Sequence, residues 1–334
     1  MIAAWLIGFS VLFAGLSAVL YPGLIHNALT YSPYDLVYSQ IFGMNHVEND
    51  EIEELLNEAG VSVKAVKQVD YLRGRAFNLL PVSEVNKEFN CDYRISEGKF
   101  ITLFQFDMND GYGHEMDAPE TVGFNLGDEK MELQSAGHDV RILFNRNPTF
   151  ADKTLILSDM DYNKIASRSR EFSPGIMGLY SFDDWMDSGK GIAAVQKYLL
   201  EENQVDETEQ HVYYRASSKI EAYTTAKQSA EFLMFLMFFV MLLLCGASDV
   251  MVHFKIKAEW EEEKRMLSGL YRIGDSSEEM LEMLKHKNIY YYMPQVMIGL
   301  LIGVFYNYAV NGFYGYGWKA AGYSLLVGMI LVVL

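Results

Sequence analysis

The sequence predicts an α-helical membrane protein with four transmembrane helices plus a large α+β extracytoplasmic domain between helices 1 and 2. Three observations carry this. Residues 3–21, 232–248, 289–309 and 320–334 are apolar and almost free of charge. The stretch between the first two runs is charged and mixed in composition. Lys and Arg then gather on one side of the expected membrane, between the second and third runs.

An uncharged apolar run of about 18 residues or more reads as a transmembrane helix, because a helix rising ~1.5 Å per residue must cross ~30 Å of hydrocarbon. In that medium every backbone N–H and C=O must be paired internally, which an isolated run achieves only as a helix. The expected division is a first helix over 1–21, the extracytoplasmic domain over 22–229 and a second helix over 230–250. A cytoplasmic segment over 251–288, a third helix over 289–310, an outer turn over 311–319 and a fourth helix over 320–334 follow. A signal peptide competes for the first run, but it normally carries a basic leader, and no Lys or Arg precedes Lys64.

Within the large domain, Asn49–Gly60 reads as a helix capped by Asp50, with Ile52, Leu55, Leu56 and Ala59 on one face. Val61–Tyr71 alternates as a strand does, and Arg75–Val82 can pair with it. Phe100–Phe106, Thr121–Leu126, Arg141–Asn145 and Lys153–Ser158 are further strand candidates, and Asp159–Ser167 and part of Phe182–Asn203 read as helical. The net charge is −17. Residues 22–228 hold 19 Lys and Arg against 34 Asp and Glu, so 19 − 34 places −15 in this domain. Nucleic acid is thereby excluded as a partner, and a cationic ligand is compatible, although solubility alone also explains the charge. Cys91 lies in the domain and Cys245 in the second apolar run, so no internal disulfide is expected. A surface domain of this size without disulfides fits a Gram-positive bacterium.

The second run continues without Pro or Gly from Val250 until Gly269, and Glu261, Glu262 and Glu263 stand beside Lys264 and Arg265. These acids and bases can pair along one helix, which reads as a stalk leaving the membrane and ending near Gly274. Ser276 and Glu279 then have the spacing of a capping box, with acids in the first turn and Lys285, His286 and Lys287 in the last. Met280, Leu281, Met283 and Leu284 give this short helix over 276–287 an apolar side. Gly299 and Gly303 are four apart in the third run, which permits close helix packing.

Residues 253–287 contain Lys255, Lys257, Lys264, Arg265, Arg272, Lys285 and Lys287, whereas the turn before the fourth run holds only Lys319. Positive charge favours the cytoplasm, so 253–287 faces in, 22–228 faces out and both termini are cytoplasmic. Trp5, Tyr290, Tyr291, Tyr292 and Trp318 fall at the expected interfaces. The fourth run has 15 residues after Lys319 and ends apolar, which reads as part of a longer polypeptide.

The succession of span, outer domain, span, cytoplasmic helix, span and span resembles the FtsX-like permeases of ABC transporters, the MacB-like superfamily. The local resemblance lies in Glu262-Glu263-Lys264-Arg265-Met266-Leu267-Ser268-Gly269-Leu270-Tyr271-Arg272-Ile273-Gly274-Asp275-Ser276. There a charged stalk leads to a Leu-x-Arg/Lys-Ile-Gly turn and a short helix, and Tyr271-Arg272-Ile273-Gly274 fits. With Pro294 entering the next span and an outer domain of this size, the chain is most similar to the C-terminal half of a bacitracin-export (BceB-like) permease. Those permeases have ten spans, so the N-terminal half would have no counterpart in this chain.

The resemblance implies an ATPase-coupling site at Arg272, Gly274, Ser276, Glu279, Met280, Met283 and Leu284, with Met280 and Leu284 entering a groove on a cytoplasmic ABC ATPase dimer. It implies membrane lipid as the surroundings and a missing permease half, a sensor histidine kinase and a cationic peptide ligand as partners. It implies antimicrobial-peptide export, resistance or sensing as the task. ATP would bind the partner subunit: no Gly-x-x-x-x-Gly-Lys-Ser/Thr occurs here, and no cofactor or catalytic residue is expected. A surface-lying helix is the competing reading of 276–287, which its acidic start opposes, since anionic lipid would repel it. A mechanotransmitter for a cell-wall hydrolase, or a membrane-anchored receptor domain, are the alternative functions. His114, Glu115 and Asp117 with His138 and Asp139 could be assembled into a metal site, but a solvated loop is the favoured reading. Asp107-x-Asn109-Asp110-Gly111 is not a calcium loop, because its twelfth position is Ala118.

Overall fold

The computed structural model describes residues 2–108, 116–145, 153–205, 214–274, 276–312 and 316–333. The chain divides into two compact units, Met1–Leu24 with Lys227–Leu334, and Ile25–Ala226.

The Ile25–Ala226 unit is mixed α/β. Its strands are β1 (Leu36–Ile41), β2 (Val63–Arg73), β3 (Phe77–Pro81), β4 (Lys99–Phe104), β5 (Thr121–Leu126), β6 (Glu129–Val140), β7 (Lys153–Leu157), β8 (Ser173–Phe182) and β9 (Ser217–Ser218). They form one sheet in the order β5-β6-β4-β7-β3-β2-β8-β1-β9. Neighbours are antiparallel except for the parallel pairs β3/β7 and β4/β6. Burial explains the composition of the strands. In β7, Leu155, Ile156 and Leu157 are all fully buried, as expected of a central strand covered on both faces. In β5, exposed and buried residues alternate through Thr121-Val122-Gly123-Phe124-Asn125-Leu126, the mark of a half-buried strand.

Helices α2 (Asn49–Glu58) and α5 (Gly189–Glu202) cover one patch of the sheet, where Ile52, Leu56, Ile192 and Val195 pack with Leu36 and Tyr180. Helix α3 (Val82–Phe89) covers a second through Val85, beside Val69 and Leu80. Helix α4 (Asp159–Arg168) covers a third through Tyr162 and Ile165, beside Phe124 and Leu133. Burial pushes the Tyr71 phenol up to about 12. Gly178 of β8 lies opposite Tyr38 of β1, and a Cβ there would stand 2.4 Å from the Tyr38 ring. The ring of Tyr38 thus occupies the space that the glycine leaves.

The chain enters and leaves this sheet side by side. β1 pairs with β9, and Asp35 and Lys219 adjoin them. Lys219 Nζ lies 2.7 Å from Asp35 Oδ1, and Asp35 Oδ2 accepts from the Phe182 N–H at 2.7 Å. Lys219 N–H also donates to the Asp35 carbonyl at 3.0 Å. The Lys219 ammonium stands 5.7 Å from the Trp185 ring centroid.

The other unit is helical. Its elements are α1 (Ile2–Thr30), which continues into the second unit, α6 (Lys219–Ile273), α7 (Ser277–Gly312) and α8 (Gly317–Val333). Among the described residues α6 is long and apolar enough to cross a membrane by length and composition, and Val296–Gly312 is a shorter apolar helix. α1 and α7 meet at glycine, since a Cβ on Gly303 would lie 2.7 Å from the Gly8 carbonyl. The side-chain amide nitrogen of Asn307 is 3.2 and 3.0 Å from the carbonyls of Val11 and Leu12, and 2.7 Å from Ser324 Oγ. A Cβ on Gly15 would fall 2.1 Å from that Ser324 oxygen, so α1, α7 and α8 meet at a polar node that only glycine admits. Asn307 is fully buried and its Oδ1 has no partner among the described residues.

Several boundaries differ from the sequence reading. α1 runs on through Pro22 to Thr30 instead of ending at residue 21. The short helix over 276–287 and the third apolar run are one helix, α7, because neither Gly nor Pro lies between Ser276 and Pro294 to stop it. Asp50 sits in the first turn of α2, while Glu48 is at its N-cap without a side-chain bond. Arg141–Asn145 is not a strand, whereas Glu129–Val140 is.

Candidate functional site

The residues singled out at the end of the stalk come together at the junction of α6 and α7. Helix α6 ends at Ile273, and Gly274 adopts φ +105°, a conformation that disfavours any side chain. Its N–H reaches the Tyr271 carbonyl at 3.3 Å and closes the turn. Asp275 lies outside the described residues.

The start of α7 is a reciprocal cap. Glu279 Oε2 accepts from the Ser276 N–H at 3.0 Å and from its hydroxyl at 2.8 Å, and the Glu279 N–H donates to Ser276 Oγ at 3.3 Å. Two otherwise unpaired helix-start donors are satisfied in this way. The bonds from Ser276 hold the Glu279 carboxyl below its usual range. They favour the charged form at the positive end of the helix dipole.

Helices α6 and α7 are linked again further from the turn. Lys264, Leu267 and Tyr271 of α6 and Met280, Leu281 and Leu284 of α7 line a crevice of about 430 Å³. Beyond it, Lys287 Nζ lies 2.8 Å from Glu263 Oε1. Glu263 and Leu267 are one helical turn apart on α6, so the ion pair and the crevice share one face.

This geometry sorts the expected site residues into two sets. Met280 and Leu284, expected to enter a partner's groove, are half-buried and line the crevice within the chain itself. Arg272, Gly274, Ser276, Glu279 and Met283 are exposed. Apolar side chains open to a partner include Ile273, 80% exposed, and Met283, and Leu281 lines the crevice yet stays 56% exposed. Ile273 and Leu281 were not singled out from the sequence. Their signal was present, because Ile273 stands next to the turn glycine and Leu281 shares the apolar side of the helix with Met280 and Leu284.

His114, Glu115 and Asn109-Asp110-Gly111 lie outside the described residues. Asp139 accepts from the Tyr93 hydroxyl, and His138 stacks edge-on to Phe104 with ring centroids 6.1 Å apart. Among the described residues no group of three or more His, Cys, Asp or Glu could hold a metal. Cys91 accepts from Arg141 at 3.3 Å, and Cys245 lies 3.5 Å from Ser10 Oγ.

No family model matches the chain. No curated protein matches it. Among solved structures, a Bacillus anthracis protein provisionally classed as a lipoprotein is similar over 45% of this chain and 83% of its own, at 12% identity and a TM-score of 0.27.

Proposed function

We propose that the chain is the permease subunit, or the C-terminal half of one, of an ABC transporter of the FtsX-like family. It couples a cytoplasmic ATPase dimer to an extracytoplasmic domain in antimicrobial-peptide export, resistance or sensing. In this reading α1, α6, the apolar part of α7 and α8 span the cell membrane of a Gram-positive bacterium. Residues 251–288 are cytoplasmic and residues 22–229 extracytoplasmic. ATP is bound and hydrolysed by the partner.

The observation that carries the reading is the α6–α7 junction. A long charged helix ends at a glycine turn, a capped helix starts at once, and Ile273, Leu281 and Met283 remain open beside the turn. The Glu263–Lys287 pair joins the two helices again beyond the turn, so part of a load on the tip reaches both. Exposed apolar side chains on a capped helix are what a groove on a partner protein takes up. A helix lying on anionic lipid would instead carry basic residues along its polar side, where this one carries Glu278, Glu279 and Glu282.

Affinity purification of the full chain from its native cells in mild detergent tests the reading. An ABC ATPase copurifies with the native chain, and Ile273→Asp with Leu281→Asp reduces its recovery at least tenfold. Equal recovery from the variant, or no ATPase with either chain, removes the reading.

A further inference from the structure

The nine-stranded sheet ends at β9 on one side and at β5 on the other. β9 has two residues and leads straight into α6, whereas β5 offers six residues of strand. The direction in which its backbone faces follows from the ladder. Ser135 donates its N–H to the Glu120 carbonyl at 2.8 Å, while Gln134 turns its N–H the other way, to the Gly98 carbonyl beside β4 at 2.9 Å. Antiparallel pairs alternate between bonded and non-bonded, so the bonded pairs of β5 and β6 fall at Val122/Leu133, Phe124/Met131 and Leu126/Glu129. The N–H and C=O of Thr121, Gly123 and Asn125 therefore point away from the sheet. Among the described residues no strand pairs with them.

Sheet edges are usually guarded by Lys, by Pro, by a bulge or by shortness. β5 contains neither Lys nor Pro, and its register with β6 is unbroken. Nothing lies within 4 Å of where a Cβ on Gly123 would stand. The strand is at the same time firmly held, because Val122, Phe124 and Leu126 are buried in the core. An anchored strand with an open edge is the surface that an extended peptide joins as one more strand.

The charge around this edge selects the peptide. Glu120, Asp128, Glu129 and Glu132 flank or face β5, and Glu171 accepts from the Asn125 side chain at 2.7 Å. Against them stand Lys130, Arg168 and Arg170, of which Arg168 already pairs with Glu129 at 3.4 Å. We propose that the outer edge of β5 binds an extended cationic peptide, which continues the sheet through the backbone of Thr121, Gly123 and Asn125. The site stands whether or not the α6–α7 junction meets an ATPase.

The test is fluorescence anisotropy of the full chain in a neutral maltoside detergent, with a labelled eight-residue peptide alternating Lys with Val or Thr. Two further peptides are compared: one with Glu replacing Lys, and one N-methylated at alternate residues so that it cannot bond an edge. The Lys peptide binds saturably, and the other two bind at least tenfold more weakly. Gly123→Pro removes one outward N–H at an edge position where proline is tolerated, and weakens binding at least tenfold. Thr121→Lys keeps every backbone group and adds one repelling charge; its loss is comparable at low salt and shrinks as salt is added. Unchanged affinity in both variants overturns the proposal, as does equal binding of the acidic or N-methylated peptide. So does a dimer of the chain that Gly123→Pro dissolves with no peptide bound, which would assign the edge to a second copy.

Discussion

Breaking the Asp35–Lys219 pair loosens the place where the sheet takes in the chain from α1 and returns it to α6. The side chain of Asp35 is 7% exposed and that of Lys219 is 17% exposed. Asp35→Asn leaves the ammonium without its counter-charge, although the amide oxygen can still accept from Phe182. Lys219→Met keeps the aliphatic packing near Trp185 and strands the carboxylate. Removing one partner of a fully buried pair costs ~3–5 kcal/mol, and the remaining hydration of Lys219 lowers this to about 2–4 kcal/mol for either change. With both partners gone neither charge is stranded, so the double variant costs less than the sum by about 1–3 kcal/mol. A chain of two units need not unfold in one step, so the readout is hydrogen exchange of the β1 and β8 amides in the full chain. Additive effects within about 0.5 kcal/mol would refute the reasoning and make the pair a surface contact.

Four further outcomes follow from the structure. Gly178→Ala places a methyl against the buried Tyr38 ring and costs about 1–3 kcal/mol, read as faster exchange of β1 and β8; unchanged exchange would mean the ring can move aside. In the proposed membrane setting, interhelical side-chain bonds average ~0.6 kcal/mol, so Asn307→Leu at the polar node is mild, whereas Gly15→Val forces α1 off its neighbours. Maleimide labelling of Cys245, which lies beside Ser10 of α1, should rise several-fold in the second variant and little in the first. Ser276→Ala removes the two bonds made by the Ser276 hydroxyl, leaves the backbone N–H on Glu279, and costs about 1 kcal/mol, seen as lost protection in the first turn of α7. The cap also sets a pH dependence. The Glu279 carboxyl is depressed in the folded chain, so its contribution is complete above the ordinary carboxylate range and lost as pH falls through the lower folded value. Protection of this turn should be flat near neutrality and fall only in acid.

The stalk junction could be read from the sequence because its signals are local. The glycine at 274, the Ser276-x-x-Glu279 spacing and the unbroken run before Gly269 each dictate their own neighbourhood. Strand β5 was placed at its observed bounds because its alternation is undisturbed. β8 was hidden by Pro174, Gly175 and Gly178, which read as turn residues until Tyr38 and Tyr71 are seen filling the glycine gaps. β6 was hidden because Leu133 is its one buried side chain, so no apolar period exists to find. The direction of Met280 and Leu284 depends on where α6 stands, which is tertiary information. Asp35 and Lys219 are 184 residues apart, and nothing near either one announces the other.

Site-specific photo-crosslinking in living cells tests the central claim most directly. A photoreactive residue in place of Leu281, beside the stalk turn, should form an adduct with an ABC ATPase identified by mass spectrometry. The same residue in place of the exposed Met160 on α4 should form none. Adducts at position 281 with lipid alone, or with the ATPase equally from both positions, would contradict the account.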